Sequence, residues 1–157
     1  AESAKKINPN DLKRLVRALE IYEVTGKPKS KAASASECKY SYLFLVLDDD
    51  RAALYSRINE RVDRMFKQGF FKEAESLIEY KNCQSMQAIG YKQIFEYIDG
   101  KFSNLEETKE EIKKLTRNYA KRQLTFFRGI KADKQWIKAD NFCDAYASVE
   151  KFLNNNN

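Results

Sequence analysis

The sequence predicts an α/β protein that is predominantly helical, on three observations. Several stretches repeat apolar residues at helical spacing between capping signals, the run Tyr42 to Leu47 is apolar without interruption, and Trp136-Ile137 offers a second short strand. An uninterrupted apolar run of that length has the composition of a strand covered on both faces, as in a parallel sheet.

Taken in order, Asn8-Pro9-Asn10-Asp11 is a turn with capping residues, after which Leu12, Leu15, Val16, Leu19 and Tyr22 recur at helical spacing until Gly26 and Pro28. Lys13, Arg14 and Arg17 lie on the other side of that helix. Residues 27–38, rich in Lys, Ser and Ala, carry no periodicity and read as an exposed connection. The strand is expected over Tyr40 to Leu47, and Asp48, Asp49 and Asp50 then turn the chain. From Arg51 to Gln68, Leu54, Tyr55, Ile58, Val62, Met65 and Phe66 form one apolar face, which Gly69 ends, and Arg57, Arg61 and Arg64 form a row beside it. A helix over about 72–80, a polar turn, a short helix closed by Asp99-Gly100, and a long helix to Gly129 follow; Ser103 with Glu106 reads as the capping box of the long helix. Residues 141–153 predict a last amphipathic helix.

Charge is unevenly distributed. The chain of 157 residues has a net charge of +6, yet residues 109–138 hold ten Lys or Arg against three acids, so the remainder is close to neutral. Within it, residues 113–128 carry six positive charges, no acid and three aromatic rings. Lys114, Arg117, Asn118, Lys121, Thr125 and Arg128 share an arc of roughly 100°, while Ile112, Leu115, Tyr119 and Phe126 point away, toward an expected core. A local basic stripe on a near-neutral body is the electrostatic signature of a polyanion site.

Much chemistry is excluded. The chain contains no histidine, which removes Ser-His-Asp and Cys-His catalysis and every imidazole metal site within it. Its five glycines are isolated, so neither a P-loop nor a dinucleotide fingerprint can be built from them, and any phosphate must be gripped by side chains. Cys38, Cys83 and Cys143 are widely spaced and odd in number, which fits reduced thiols and a cytoplasmic setting; no apolar run is long enough for a membrane span. Asp48, Asp49 and Asp50 admit a water-mediated Mg²⁺ site, but a turn with helix capping explains them better. The row Arg57, Arg61, Arg64 fits either a charged helix rim or forked binding of phosphate oxygens. Ile89-Gly90-Tyr91-Lys92 fits either a plain helix-start turn or a place where backbone nears a base or sugar while Tyr91 stacks and Lys92 meets phosphate.

Several of these segments together resemble one family. Asn8-Pro9-Asn10-Asp11 with Arg14 and Arg17-Ala18-Leu19-Glu20, Thr25-Gly26-Lys27-Pro28, Arg51 with Leu54-Tyr55 and Arg57-Ile58-Asn59, Ile89-Gly90-Tyr91-Lys92, and Thr116-Arg117 with Tyr119-Ala120-Lys121-Arg122-Gln123, Thr125 and Arg128 resemble tRNA dimethylallyltransferase in content and order. The resemblance spans Ala1 to Trp136 and corresponds to the C-terminal half of that enzyme. It implies the C-terminal half of a P-loop-kinase-like core plus the end of an inserted helical tRNA-binding domain, with residues 1–35 closing the insertion and 36–157 forming the core part with the long basic helix. It implies transfer of a dimethylallyl group from dimethylallyl diphosphate to N6 of the adenosine 3′ of the anticodon, by a cytoplasmic monomer. The resemblance gives Arg57 the role of donor diphosphate clamp, and assigns contacts with the tRNA anticodon stem-loop to Lys13, Arg14, Arg17, Gln87, Gly90, Tyr91, Lys92, Arg117, Lys121, Arg122, Gln123, Thr125 and Arg128. Mg²⁺, the P-loop and the catalytic aspartate are expected in the family's N-terminal half, so this chain alone is expected to be inactive. Lys13, Lys92 and Phe126 stand where the family commonly has glutamine, arginine and tryptophan. Two other readings stay open here: a non-catalytic basic helical RNA-binding module, and an adenylate prenyltransferase acting on free nucleotide.

Overall fold

The computed structural model describes residues 7–32 and 40–155, apart from the side chains of Ser30 and Ala32. The chain divides into two compact units between Tyr42 and Leu43. The boundary expected between residues 35 and 36, and Cys38, lie outside the described residues.

In the first unit, α1 (Leu12–Thr25) begins where the Asp11 carboxylate accepts the Arg14 N–H, and ends at Gly26, whose φ of 64° lets its N–H reach the Tyr22 carbonyl. A single helical turn, α2 (Lys29–Ala32), follows within the stretch expected to be an irregular connection. None of the α1 side chains is buried, and Leu12, Val16, Leu19 and Tyr22 are exposed.

The second unit opens with β1 (Leu45–Asp48), which pairs in parallel with β2 (Gln135–Lys138) in the register Val46 to Trp136 and Leu47 to Ile137. Both strands and a parallel sheet were legible, though not that the two pair with each other, and β1 starts five residues later than expected. It is not fully covered either: Val46 and Ile137 are buried on opposite faces, while Leu47 is 64% exposed. Among the described residues the sheet has two strands, and part of the run is left uncovered.

Asp50 caps α3 (Arg51–Lys67), its carboxylate accepting the N–H groups of Ala52 and Ala53, which settles the aspartate run as turn and cap. Gly69, at φ 98°, turns the chain into α4 (Phe70–Ser76); 3₁₀ turns at Ile78–Tyr80 and Gln84–Gln87 lead to α5 (Tyr91–Ile98). The long helix α6 (Leu105–Gly129) is capped one residue later than expected: the Asn104 side chain accepts the Glu107 N–H, and Glu107 accepts from the Ser103 N–H. Asn is as good a cap as Ser, and only the geometry of the entering chain decides between neighbours. The last helix, α7 (Phe142–Asn155), buries no residue.

The core sits where α3, α4, α5 and α6 meet. Val62, Phe70, Ala74, Ile94, Phe95 and Ile112 form it, each of the large ones contributing about 1.5–3 kcal/mol through burial. The aromatic rings of Phe66, Phe70 and Tyr91 pack edge to face along one side. Beside them Lys113 is buried and bonded to Asp63 and Glu110, each at 2.8 Å. One of the six cations counted on the basic helix is therefore an internal tie rather than part of its outer face.

Tyr119 and Phe126, expected in the core, are 49% and 67% exposed. The reason is length: the buried residues of α6, Thr108, Ile112 and Lys113, lie in its N-terminal half, while its last turns meet few side chains, Phe44 edge to face with Phe127 and Trp136 beneath Arg128. Apolar spacing alone does not reveal that a helix outruns its neighbours.

Two outcomes follow from this packing. Gly90 sits at φ 107°, and an added Cβ would lie 2.9 Å from Phe70 Cζ, so Gly90→Ala should destabilise the fold by about 1–3 kcal/mol in urea unfolding; an unchanged midpoint would contradict the packing. The hydrogen bond from Lys113 holds Asp63 below the ordinary carboxylate range, so this pair stabilises above the unfolded pKa of about 3.9 and loses its effect as pH falls through the lowered folded value. Asp63→Asn should be less stable than the parent at pH 7, with the gap closing below about pH 4; a gap independent of pH would contradict it.

Candidate functional site

In the second unit, Arg57, Arg61 and Arg64 on α3 and Arg122 on α6 line the groove between α3, the 84–91 segment and α6. Three clefts meet there, sharing Met65. The largest, of about 580 Å³, is floored by Val62, Met65 and Ile112 and rimmed by Arg61, Gln87, Tyr119 and Arg122. The second, of about 450 Å³, is lined by Arg57, Arg61, Arg64, Met65 and Gln68. The third, about 270 Å³, has Tyr91 and Glu73 on its wall. The combination of an apolar floor, a polar rim and guanidinium groups suits a ligand with a flat or apolar part and a phosphate.

Arg57 stands near the C-terminal end of β1, and its guanidinium is ion-paired with Asp49. That hydrogen bond, with one from the Asp50 N–H, holds the Asp49 carboxyl below the usual carboxylate range. Arg57 is thus anchored on one edge while about half of its side chain remains exposed. Sequence spacing gave no hint of the pair, because Asp49 precedes the helix and reaches Arg57 only through the capping turn.

Gln87 is exposed on the groove rim, its Nε2 donating to the Lys81 carbonyl at 2.9 Å. Gly90 is buried; its N–H donates to Gln93 Oε1 at 2.8 Å, and Phe70 occupies the space where a Cβ would be. The need for glycine there is thus explained by backbone conformation and packing, and the segment is the helix-start turn of α5. Tyr91 is half-buried, its hydroxyl donating to Glu73 at 2.5 Å, a bond that together with burial pushes the phenol above its ordinary pKa. Lys92 is exposed.

On α6, Arg117 turns inward and donates to Asn59 Oδ1 at 2.6 Å, tying α6 to α3. Lys121, Arg122 and Gln123 are exposed; Arg122 lies 5.8 Å from the Tyr119 ring centroid, a cation–π contact. Thr125 donates back to the Lys121 carbonyl, and Arg128 lies 5.9 Å from the Trp136 ring centroid. The structure therefore brings Arg57, Gln87, Tyr91 and Arg122 to one system of clefts. Lys121, Gln123, Thr125 and Arg128 lie on α6 but do not line it. Lys13, Arg14 and Arg17 belong to the first unit, where Arg14 pairs with Asp11 at 3.2 Å and Arg17 with Glu20 at 2.9 Å.

Tyr119, Arg61 and Arg64 are the groove residues that the site assignment from sequence passes over. The arginine row was visible in the spacing of α3. The exposed ring was not, since Tyr119 falls on the apolar arc of α6. Among the described residues no three His, Cys, Asp or Glu side chains gather as a metal site; Asp50 is committed to the α3 cap and Asp49 to Arg57, so these residues do not fit a Mg²⁺ ion. No described helix is long and apolar enough to cross a membrane.

Comparison with known proteins assigns this arrangement to a family. A family model described as IPP transferase matches residues 1–130. The chain belongs to the IPP transferase family. It is 45% identical over 162 residues to the tRNA dimethylallyltransferase of Thermoanaerobacter sp. (strain X514), an alignment covering 98% of this chain and 50% of the relative. It is 46% identical over 131 residues to that of Geobacillus thermodenitrificans (strain NG80-2), covering 81% and 41%. Among solved structures, the full-length tRNA isopentenylpyrophosphate transferase of Bacillus halodurans matches with a TM-score of 0.65 and 38% identity, over 98% of this chain and 48% of that one. The chain thus spans about half the length of the IPP transferase relatives it matches, and its helix-dominated α/β architecture agrees with theirs.

Proposed function

We propose that this chain is the RNA-gripping, diphosphate-clamping half of a tRNA dimethylallyltransferase. The observation that carries the reading is Arg57, anchored by Asp49 beside the end of β1 and lining a cleft that adjoins, through Arg61 and Met65, the cleft of Gln87, Tyr119 and Arg122. In parallel α/β folds, ligands gather outside the carboxyl ends of the strands. The exposed Leu47 supports a further part of the reading: β1 and β2 are a portion of a larger P-loop-kinase-like sheet, and residues 1–35 close an inserted helical domain. The P-loop, the general base and any Mg²⁺ ligands would come from the part of the relatives' length that this chain does not span. The working form is taken to be a cytoplasmic monomer.

In the proposed reaction, N6 of the adenosine next to the anticodon attacks C1 of the dimethylallyl group. The C1–O bond breaks, diphosphate departs with the bonding pair, and the amine proton passes to the general base. Negative charge grows on the diphosphate as it leaves, and the second edge of the Arg57 guanidinium is positioned to meet it with charge-assisted hydrogen bonds. Asp49 fixes the first edge, so little reorganisation is needed. An adenosine reached in this way must leave its stack. The half-exposed Tyr119 ring, backed by Arg122, offers a surface for an unstacked base, while Gln87, Lys92, Lys121, Gln123 and Arg128 supply donors for bases and backbone. On α1, in the first unit, Lys13, Arg14 and Arg17 are assigned contacts of their own with the anticodon arm.

In the full-length enzyme, Arg57→Ala should lower kcat/KM for dimethylallyl diphosphate on the order of a hundredfold while leaving the affinity for tRNA near that of the parent. Unaltered donor kinetics would remove Arg57 from the diphosphate site. Replacing Lys121 and Arg122 together with Ala should weaken binding of an anticodon stem-loop and leave donor KM unchanged, as followed by filter binding. Equal tRNA affinity in parent and variant would take the basic helix out of the RNA interface.

A further inference from the structure

The arginine cleft on α3 is larger than one diphosphate can use. Arg57, Arg61 and Arg64 occupy positions i, i+4 and i+7, a rise of about 10 Å along the helix. The two phosphorus atoms of a diphosphate share a single oxygen, so such a ligand held by Arg57 leaves the far end of the row unfilled. No acid lines the cleft. Of the neighbouring acids on the same helix, Glu60 accepts from the Ser56 hydroxyl at 2.8 Å, and Asp63 is held by Lys113. Whereas Arg57 is ion-paired, neither Arg61 nor Arg64 has a hydrogen-bond or ion-pair partner for its guanidinium among the described residues, and both are exposed. Two unneutralised guanidinium groups at adjacent turns, with the Gln68 amide at the end of the row, form a strip that suits successive phosphates of a polymer better than one compact anion.

Arg61 also lines the larger cleft with Gln87, Tyr119 and Arg122. The strip is therefore continuous with the groove rim that the proposed function assigns to RNA. We propose that Arg61 and Arg64 bind backbone phosphates of the RNA strand whose bases enter the cleft of Gln87, Tyr119 and Arg122, leaving Arg57 alone to the donor diphosphate. This rests on the reading of that groove as an RNA site. The division of labour gives α3 two anion subsites: one for the leaving group, and one that holds the strand next to it.

The test uses the full-length enzyme and an anticodon stem-loop, with binding measured by fluorescence anisotropy across a salt series and donor KM measured in parallel. Arg61→Gln combined with Arg64→Gln should lower the slope of log K against log salt by about 1–2, since each lost phosphate contact removes roughly 0.7–0.9. Donor KM should be unchanged, and Arg61→Lys with Arg64→Lys should restore the slope. An unchanged slope in the glutamine variant, or a raised donor KM with unchanged RNA binding, would overturn the inference and leave the parent reading intact. Absence of stem-loop binding by the unsubstituted enzyme would instead overturn the parent reading, and this inference with it. Thermal unfolding of the variants at the parent temperature confirms that only the exposed surface has been altered.

Discussion

The arrangement depends on the packing of α3 against α6. Val62 and Ile112 meet in the apolar core, Lys113 reaches across to Asp63, and Arg117 reaches across to Asn59. These contacts fix the rotation of both helices. With Val62 and Asp63 directed to α6, the 3.6-residue period leaves Arg57, Arg61 and Arg64 on the open flank of α3, and with Ile112 and Lys113 directed to α3, Lys121 and Arg122 project from the far turns of α6. The buried cation is thus an orienting device for the exposed ones. Burial alone would lower the Lys113 pKa, but its bonds to Asp63 and Glu110 outweigh that and raise it, so the ammonium stays charged in its niche.

Gly90 performs a comparable service for the other wall of the groove. Its positive φ swings the 84–90 segment onto Phe70, so Gln87 is delivered to the rim and Tyr91 is locked to Glu73. The Gly90 backbone is therefore packed against Phe70 where the sequence alone allowed a bare backbone approach to a ligand. What remains available in the groove is side-chain chemistry: guanidinium groups, amides and a half-exposed ring over an apolar floor. That composition is suited to recognising a nucleotide and holding charge. It lacks the gathered carboxylates of a metal centre among the described residues.

Local signals were read well from the sequence. Asp50 and Gly69 bound α3, Gly26 ends α1, and Trp136-Ile137 and the apolar run before Asp48 are both strands, each because a cap, a left-handed turn or a short apolar run is written in neighbouring residues. What escaped needed partners distant in the chain. Lys113 looks like any other cation until Asp63 is found beside it, Tyr119 and Phe126 look like core until the last turns of α6 are seen to meet few side chains, and Gly90 fits a helix-start turn or a ligand-facing backbone equally until Phe70 is found filling its missing Cβ. The clamp was visible only as an arginine, since the choice of Arg57 over Arg61 or Arg64 came from resemblance. The Asp49 ion pair adds a physical distinction between them.

The central claim is that this chain supplies grip and charge stabilisation while the remaining chemistry lies in the other half of the relatives' length. The most direct measurement is prenyl transfer from dimethylallyl diphosphate to an anticodon stem-loop, comparing this chain by itself with a full-length protein that contains it. The account predicts transfer only by the full-length protein. Turnover by the isolated chain at a comparable rate would contradict it.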